Sequence, residues 1–567
     1  MNIQLRQEQR CGHVAVIGLA LTVAAACAHA TTTQPSSAAS AEGDNAMTGT
    51  QPWKSIMTSV LQHGAVGDGK TMNTEAIQAA IDVTAEKGGG VVYVPPGTYL
   101  TGPITLKSRI TLSLEAGATL LGSDKLETYK SAGKGCLIGG DDLDDIAIVG
   151  RGTIDGQGGA FPRKQGPLII AISRCRNVLI EGITLRNAGS WVQCYGLCDG
   201  LVIRGITVES FCNSNNDGLD IDSCRNVRVS DSRIWVGDDA FCLKSTYGQL
   251  CENVVITNCI ASSHCNAFKL GTESYGGFKN IAISNCVVVP MGVEMKWHGS
   301  TEGNCGICLT IVDGGTMENV VVSNIAIRGT RAPIFIRLGN IGRPHRGQPK
   351  KDVGQVRNIS INNVTAVSAA RAHCEITGLP GHMLEDISLS NINLTFTGGG
   401  PADPNFTSTM PVKEKPEGYP DILWTHPYLP AYGLFSRHVK GLTLNNVVVK
   451  TEKPEPRSAM ILEDIDDLRI DGFSGGAWSG SDAILWIKDV RGALIRGCVA
   501  MPNTGIFARL DGACRDIALL GNDLRKASQM FEFVGGASPD MVVENGNLLP
   551  SKPQAPASAP ASQESGS

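Results

Sequence analysis

The sequence predicts an all-β fold: a solenoid of parallel strands, or parallel β-helix, with an N-terminal capping helix. Glycine occupies 67 of the 567 positions and aromatic residues make up only 5%, which is typical of thin, repetitive strands joined by many turns. One short phrase, a polar residue or glycine followed by alternating apolar and polar residues, returns along the chain. A segment with helical periodicity precedes the repeats and supplies the cap.

The repeated phrase returns at intervals that cluster between roughly 23 and 28 residues, which indicates one coil of a β-helix per copy. Its copies are DDIAIVG from Asp144, RNVLIEG from Arg176, DGLVIRG from Asp199, RNVRVSD from Arg225, ENVVITN from Glu252, KNIAISN from Lys279, ENVVVSN from Glu318, RNISINN from Arg357, EDISLSN from Glu385, KGLTLNN from Lys440, DDLRIDG from Asp466, RGALIRG from Arg491 and RDIALLG from Arg515. A β-propeller would need a period of about 40–45 residues and four strands per unit. The interval therefore favours the β-helix.

Residues 73–90 (NTEAIQAAIDVTAEKGGG) follow the period of an α-helix. Its apolar face is formed by four residues, Ala76, Ile77, Ala80 and Ile81. Asn73 or Thr74 can act as N-cap, and Gly88 can end the helix. Such a helix would cover the open end of the stack, where backbone groups are otherwise unpaired.

The N-terminal residues 1–30 are predicted to be a signal peptide. Arg6 and Arg10 precede an apolar run over 14–26, and small residues at 28–30 offer a cleavage site. The run is too short for a convincing membrane span. Cys27 offers an alternative, a lipoprotein anchor. We therefore expect a periplasmic or secreted protein.

The composition of the chain ends sets the domain boundaries. Residues 31–51 and 549–567 are rich in Ser, Thr, Ala or Pro and are predicted to be disordered. This leaves 52–548 as one β-helix domain, expected to be a monomer without a transmembrane segment. The formal net charge of −5 and a charged fraction of 18% give no indication of nucleic-acid binding.

The 18 cysteines would suggest disulfides in an exported chain, but their spacing argues against this. Cys259 and Cys286 occupy equivalent positions of neighbouring repeats, where they would stack as small apolar fillers. Cys305 and Cys308 form a single CxxC pair, which is a weak zinc signal. The pattern predicts mostly buried free thiols, with at most a bridge or two, and neither a metal nor a cofactor.

Two acidic stretches, NNDGLDIDS (215–223) and GDDAFCLKS (237–245), align with each other and with NAFKLGT (266–272). Because side chains alternate across a strand, the polar residues form outward columns. The columns are Asp217, Asp239 and Asn266; then Asp220, Cys242 and Lys269; then Asp222 and Lys244, a pair that can form a salt bridge. GVEMKWHG (292–299) is predicted to continue the pattern with Glu294 and Lys296.

The alignment assigns no cation to Asp217, which lies beside Asp238 and Asp239. Acids that bind turn amides would give a purely structural explanation. Two carboxylates separated by a water molecule are what inverting glycoside hydrolysis requires. The second explanation predicts a catalytic cleft on this face.

The chain resembles glycoside hydrolase family 28, the polygalacturonase family of right-handed, pectin-lyase-like β-helices, over about 60–545. The segment HGAVGDGKTMNTEAIQAAI…GGGVVYVPPGTYLTGPITL (63–106) carries the fold. The family's Asn-Thr-Asp element matches residues 215–217, and its Gly/Gln-Asp-Asp element matches 237–239. The resemblance implies Asp238 as general acid, with Asp217 and Asp239 holding the attacking water.

Two family elements differ in this chain. Asn266 stands where the family has the histidine of Gly-His-Gly, with His264 two residues earlier, and the family's Arg-Ile-Lys is Glu-Met-Lys here and keeps only Lys296. The resemblance implies that these positions orient the acid and bind a uronate carboxylate. Lys269 and Arg337 are further candidates for binding a substrate carboxylate, or else structural cations.

The resemblance implies a hydrolase of galacturonic-acid-containing pectic polysaccharide, either polygalacturonan or a rhamnogalacturonan-type chain. The insertion at 399–432, rich in Pro, Gly and aromatics, is long enough to close one end of a groove, which favours an exo-acting enzyme. Two alternatives stay open. One is a calcium-dependent polysaccharide lyase with Asp217, Asp220 and Asp222 as ligands, and the other is a non-catalytic carbohydrate-binding β-helix.

Overall fold

The computed structural model describes residues 57–133, 135–294, 300–367, 373–400 and 407–549. Within these ranges each strand pairs in parallel with strands of the preceding and following coils. The predicted parallel β-helix is therefore confirmed. The predicted signal peptide, the 31–51 linker and all but one residue of the predicted tail lie outside the described residues.

Three ladders of parallel strands run the length of the stack, and the longer strands bend from one ladder into the next. The first sheet contains Met57–Ser59, Gly90–Val94, Ile110–Leu114, Asp144–Gly150, Arg176–Glu181, Asp199–Arg204, Arg225–Ser230, Cys251–Thr257, Gly277–Val288, Thr316–Arg328, Gln355–Val367, Leu384–Gly398, Ala431–Lys453, Ser458–Asp471, Arg491–Arg496, Arg515–Leu520 and Val542–Asn545. The second sheet adds Asp68–Met72, Gly97–Thr101, Ala118–Gly122, Thr153–Asp155, Thr184–Arg186, Thr207–Ser210, Arg233–Val236, Ile260–Ser263 and Ser474–Gly475. The third sheet adds Ile104–Thr105, Cys136–Asp141, Leu168–Ser173, Gln193–Gly196, Leu219–Asp222, Phe241–Lys244, Asn266–Leu270, Gly303–Ile311, Thr330–Leu338, Cys374–Thr377, Leu485–Lys488, Thr504–Asp511 and Ala527–Val534.

The repeated phrase of the sequence forms the strands of the first sheet, and its second residue makes the turn into them. Asn253 and Asn280 at that position have φ values of 57° and 55°, in the left-handed region that asparagine tolerates better than most residues. The side-chain amide of Asn280 donates to Asn253 Oδ1 at 3.0 Å, and that of Asn319 donates to Asn280 Oδ1 at 3.0 Å. This ladder of amides fixes the same turn in successive coils.

The predicted capping helix spans Thr74–Glu86, with Asn73 as N-cap. Ile77, Ala80 and Ile81 are fully buried, so the predicted apolar face closes the N-terminal end of the core. The other helices are short: α-helices Leu126–Ser131 and Ile422–Thr425, and 3-10 helices Val60–His63, Gly158–Ala160, His345–Gly347 and Pro539–Met541.

The insertion at 399–430 does not disturb the stack. The coil before it pairs with the coil after it in one unbroken register, with Ile387 opposite Leu442 and Leu394 opposite Val449. The inserted residues therefore leave the β-helix and return to it at a single turn.

The sixteen cysteines of the described ranges are free thiols, most of them buried. Cys259 and Cys286 are each 1% exposed and lie on adjacent coils, as the stacking prediction requires. No helix in the described part of the chain is long and apolar enough to cross a membrane.

Candidate active site

The predicted alignment of the acidic stretches is confirmed by the strand register of the third sheet. Leu219 pairs with Phe241 and Phe241 with Phe268, all buried inside the coil. The two phenylalanine rings stack with centroids 5.1 Å apart. This packing fixes the neighbouring positions on the outer face, where Asp220, Cys242 and Lys269 lie in one column.

Asp239 is held by the coil that follows it. Its carboxylate accepts hydrogen bonds from the side-chain amide of Asn266 at 2.6 Å and from the Asn266 backbone N–H at 3.2 Å. The other oxygen lies 2.7 Å from the ammonium of Lys269, and both side chains are buried. Asp239 is therefore fixed in one orientation by a matched positive charge.

Asp238, its neighbour in sequence, is half-buried and lines an open cleft. One carboxylate oxygen accepts the Asp239 backbone N–H at 3.0 Å, and the Cys265 thiol also hydrogen-bonds to this side chain. Burial first, and then the adjacent charge of Asp239, raise the pKa of Asp238 to about 6. A carboxyl group with this pKa holds its proton at mildly acidic pH and can donate it.

Asp217 belongs to a buried cluster around Lys244. The Lys244 ammonium lies 3.4 Å from Asp217, 3.3 Å from Asp220 and 3.1 Å from Glu273, and 4.7 Å from the centre of the Trp191 ring. Burial and then the neighbouring Asp220 raise the pKa of Asp217 well above its ordinary value, and burial raises that of Asp220 to about 7. Lys244 opposes both shifts.

Glu273 completes this cluster. Burial alone would raise its pKa, but Lys244, Lys269 and Arg343 outweigh burial and hold the pKa well below its ordinary value. Arg343 also binds the buried Asp313 at 2.7 Å. A continuous chain of opposite charges thus runs from Asp217 to Asp313, away from the cleft.

Two groups of acids and cysteines bring their ligand atoms within 4.8 Å of one another: Asp217, Asp220 and Cys242; and Asp238, Asp239 and Cys265. In the first group Lys244 binds both carboxylates, and in the second Lys269 binds that of Asp239. The third acid of the predicted calcium set, Asp222, instead accepts from the backbone and hydroxyl of Thr246. The three acids proposed for calcium do not converge on one point.

The same contacts correct the predicted Asp222–Lys244 salt bridge. The two residues are register partners, but the ammonium turns toward Asp217, Asp220 and Glu273, where three acids outweigh one.

The cleft above Asp238 has a volume of about 810 Å³. It is lined by Arg163, Lys164, Ser214, Asn215, Asp238, Asp239, Cys265, Asn266, Lys269, Asn304, Tyr419, Asp421, Leu423 and Trp424. The last four belong to the insertion that was predicted to fold over the groove. Asp217 lies beneath this cleft at 3% exposure.

Two of the predicted substrate-binding residues lie away from the cleft. His264 is fully buried, with Nε2 2.6 Å from the carbonyl oxygen of Val293. Arg337 is 2% exposed and binds Glu375 at 3.1 Å and the carbonyl oxygen of Lys415 at 2.6 Å. Arg337 is thus a structural cation, since its guanidinium is sealed beneath the insertion.

The remaining candidates differ in outcome. Asn266 and Lys269 line the cleft and contact Asp239. Lys296 lies outside the described residues. Most of the stretch 292–299, which was predicted to continue the strand columns, also lies outside the described residues; its described part, 292–294, is not in a strand, and the strand that pairs with Asn266–Leu270 is Gly303–Ile311.

Sequence reasoning missed the cation cluster and the cleft walls. Lys244 was visible in the strand alignment but was assigned to Asp222. Glu273 and Arg343 come from turns outside the repeat and carry no periodic signal. Lys164 and Trp424 lie on loops 260 residues apart in sequence (424 − 164), and only the coiling of the chain brings them to one cleft.

Comparisons with known proteins agree with this architecture. The model of glycosyl hydrolases family 28 matches residues 88–413. A probable polygalacturonase from Vitis vinifera is 30% identical over 374 residues, covering 59% of this chain and 74% of the relative. An exo-poly-alpha-D-galacturonosidase from Dickeya chrysanthemi is 26% identical, covering 56% of this chain and 64% of the relative.

Among solved structures, an exopolygalacturonase from Thermotoga maritima matches with a TM-score of 0.55 and 21% identity. The match covers 71% of this chain and 93% of that structure. At this identity the likeness concerns the fold.

Proposed function

Because the chain belongs to family 28 of the glycosyl hydrolases and is therefore a glycoside hydrolase, we propose that it cleaves pectic polysaccharides that contain galacturonic acid. The substrate is polygalacturonan or a rhamnogalacturonan-type chain. The observation that carries the proposal is the pair Asp238–Asp239, in which adjacent carboxyl groups face one cleft but are held differently.

Asp238 is the general acid in this proposal. Its raised pKa keeps a proton available, and its half-buried position at the cleft lets it reach the oxygen of the bond to be cleaved. Asp239 is held differently, since Lys269 and Asn266 already bind its carboxylate, and it is proposed to position the water and not to donate a proton.

Asp217 and Asp239 hold the attacking water in this proposal. Asp217 must be ionised to accept a proton from that water, yet burial and Asp220 favour its neutral form. The ion pair with Lys244 is the interaction that opposes this, so the base depends on the lysine beneath it. Asp217 Oδ1 is buried and accepts no hydrogen bond from the described residues, and the proposal assigns this acceptor to the attacking water.

Attack by water from the side opposite the acid inverts the anomeric carbon in a single step. This requires carboxyl groups roughly 6.5–9.5 Å apart. Proton NMR during hydrolysis of oligogalacturonate would show the first-formed anomer. Retained configuration would contradict the water mechanism while leaving the substrate assignment intact.

Cleavage from a chain end is proposed from the insertion, whose residues 419–424 form part of the cleft wall. A wall at one end of a groove favours release of short units from a terminus over internal cutting. Early products of a single small size would support this, whereas early oligomers of mixed length would contradict exo action alone.

Export to the periplasm or the medium is proposed from the N-terminal 30 residues. Fractionation of cells that express the full chain tests it, with a lipid-anchored product at Cys27 as the membrane-bound outcome. A cytoplasmic product of full length would contradict export.

The decisive experiment for the activity is incubation with separated pectin fractions, followed by analysis for reducing ends and for unsaturated uronates. New reducing ends without unsaturated products, in the presence of EDTA, are expected for a hydrolase that uses aspartates. Unsaturated uronates that vanish with EDTA would instead indicate a calcium-dependent lyase.

A further inference from the structure

The side chain of Trp424 is exposed to solvent at the cleft wall, and it lies on a short helix that is fixed to the β-helix. Trp424 is 73% exposed, the most exposed large apolar side chain in the described part of the chain, and it lines the same cleft as Asp238. A side chain with this much apolar area gains most from a partner of similar shape. Its position therefore needs an explanation other than folding.

The support begins at Asp421, which ties the short helix Ile422–Thr425 to the β-helix. One carboxylate oxygen of Asp421 accepts the N–H of Leu423 at 2.8 Å, and the other accepts the side-chain amide of Asn304 at 3.0 Å. Asn304 belongs to the coil strand Gly303–Ile311. The helix N-terminus is thus fastened to the sheet beside the catalytic pair.

Ile422 fixes the rotation of the same helix. It is 2% exposed and packs into a small apolar cluster on the outside of the coil, formed by Cys305, Cys308, Ala332 and Phe335. With Ile422 anchored inward, Trp424 is held toward the solvent of the cleft. The aromatic ring is therefore pre-positioned, so that binding a ligand costs little conformational entropy.

Lys164 brings a positive charge to the same cleft. Lys164 is exposed and lines the cleft, and within the described ranges its ammonium makes no ion pair of 4.0 Å or less. The other basic residues of the cleft lining are Arg163 and Lys269, and Lys269 is neutralised by Asp239. Lys164 is thus available to a negative charge that arrives with the substrate.

We propose that Trp424 and Lys164 form a binding subsite for an acidic polysaccharide, in which the indole covers the apolar face of a sugar ring and the ammonium meets a uronate carboxylate. The inference rests on the proposed function and deepens it, because it assigns substrate binding to residues outside the three catalytic aspartates. It also supplies a carboxylate-binding cation other than Lys296.

The test measures kinetics of Trp424→Ala and Lys164→Met on oligogalacturonate and on its methyl ester. Trp424→Ala should raise KM about three- to tenfold on both substrates, with kcat within about twofold. Lys164→Met should raise KM about two- to fivefold on the free acid only, and added salt should remove the difference from wild type.

Matched controls are Tyr428→Ala, an exposed aromatic of the same insertion outside the cleft lining, and Lys526→Met, an exposed lysine near the C-terminal end. Both should leave KM unchanged. Equal effects of Lys164→Met on the acid and the ester would overturn the role of Lys164 in binding a carboxylate. An unchanged KM in Trp424→Ala would overturn the role of Trp424 in binding a sugar ring.

These outcomes are separable from a failure of the proposed activity. Asp238→Asn should be inactive on the acid if the proposed function is right, whatever the subsite variants do. Binding of oligogalacturonate to this inactive variant, measured by calorimetry, should weaken on adding Trp424→Ala. Undiminished binding in the double variant would overturn the subsite and leave the catalytic assignment standing.

Discussion

Two stretches of the third sheet carry charged side chains on the same outward face but pair them differently. In the C-terminal coils cations and acids alternate: Glu463 lies between Arg437, whose guanidinium donates to it, and Lys488 at 2.8 Å. Burial would raise the pKa of Glu463, but Arg437 and Lys488 outweigh it and the pKa lies below its ordinary value. In the coils of the candidate site acids lie next to acids, and the pKa values of Asp217, Asp220 and Asp238 are raised.

The difference in charge pairing shows that the same β-helical scaffold can place charged side chains for stability or for proton transfer. An alternating ladder satisfies each charge and stabilises the stack. Adjacent acids in a buried position cost stability and are retained where a proton has to be held and released. The comparison therefore predicts that equivalent substitutions in the two stretches affect different properties.

The largest expected effect is the loss of turnover in Asp238→Asn, by about 10²–10⁴-fold, since an amide cannot act as a general acid. Its matched control is Asp464→Asn in the C-terminal coils, where Asp464 binds His438 and Arg491. The control should keep its activity and lose stability. Rates near wild type in Asp238→Asn would remove Asp238 from the mechanism.

Asp238→Asn should also be no less stable than wild type. The folded-state pKa of Asp238, about 6, lies above its ordinary value of 3.8, so its stabilising contribution is present below about pH 4 and is lost as pH rises through 6. The variant does not titrate and should gain relative stability above pH 6. Thermal melts at pH 5 and pH 8 measure this.

The next effect is expected from Lys244→Met, which removes the cation shared by Asp217, Asp220 and Glu273. Because Lys244 lowers the pKa values of Asp217 and Asp220, the acidic limb of the kcat/KM profile should move to higher pH. Breaking a buried ion pair costs roughly 3–5 kcal/mol. The loss should be smaller at pH 5, where the aspartates can be protonated, than at pH 8, and urea unfolding at both pH values checks this.

The pH profile of the wild type gives a third test. The value of kcat/KM should fall above about pH 6, by about tenfold per pH unit, as Asp238 loses its proton. Lys269→Met should shift this limb to higher pH, because Lys269 lowers the pKa of Asp238. A limb that stays in place would mean that Lys269 has only a structural role.

The smallest effect on activity is expected from Glu463→Gln. The substitution leaves Arg437 and Lys488 without their shared charge and should lower the free energy of unfolding by about 1–3 kcal/mol. Hydrolysis of oligogalacturonate should be unchanged at temperatures well below the melting point. A fall in kcat would show that the C-terminal coils take part in the reaction.

The sequence predicts the coil and its register because both follow from a local alternation repeated at a fixed interval. Leu219, Phe241 and Phe268 could be placed inside from that alternation alone. The position of the catalytic acids relative to one another follows from the same register, with their roles implied by the family resemblance.

What could not be predicted depends on contacts between distant turns. Arg337 sits on an outward position, yet the insertion covers it through a contact with Lys415, 78 residues away. The sequence at 292–299 follows strand alternation, but its described residues 292–294 are not in a strand, and the next strand of the third sheet is Gly303–Ile311. Which of several acids a lysine such as Lys244 approaches depends on how many acids lie within its reach, and the strand pattern does not record this.

The unbroken register across the insertion at 399–430 has a consequence for how the substrate preference of such an enzyme could be altered. Because the coils on either side pair as if the inserted residues were absent, the strand register of the stack does not depend on that segment. Trp424 and Tyr419 come with it, while Asp238 and Asp239 remain on the stack. The acid pair and this part of the cleft wall thus lie on separate pieces of chain, and exchanging the segment for that of a relative, with its contacts to Asn304 and Arg337 kept, is a direct way to measure how the wall affects substrate choice.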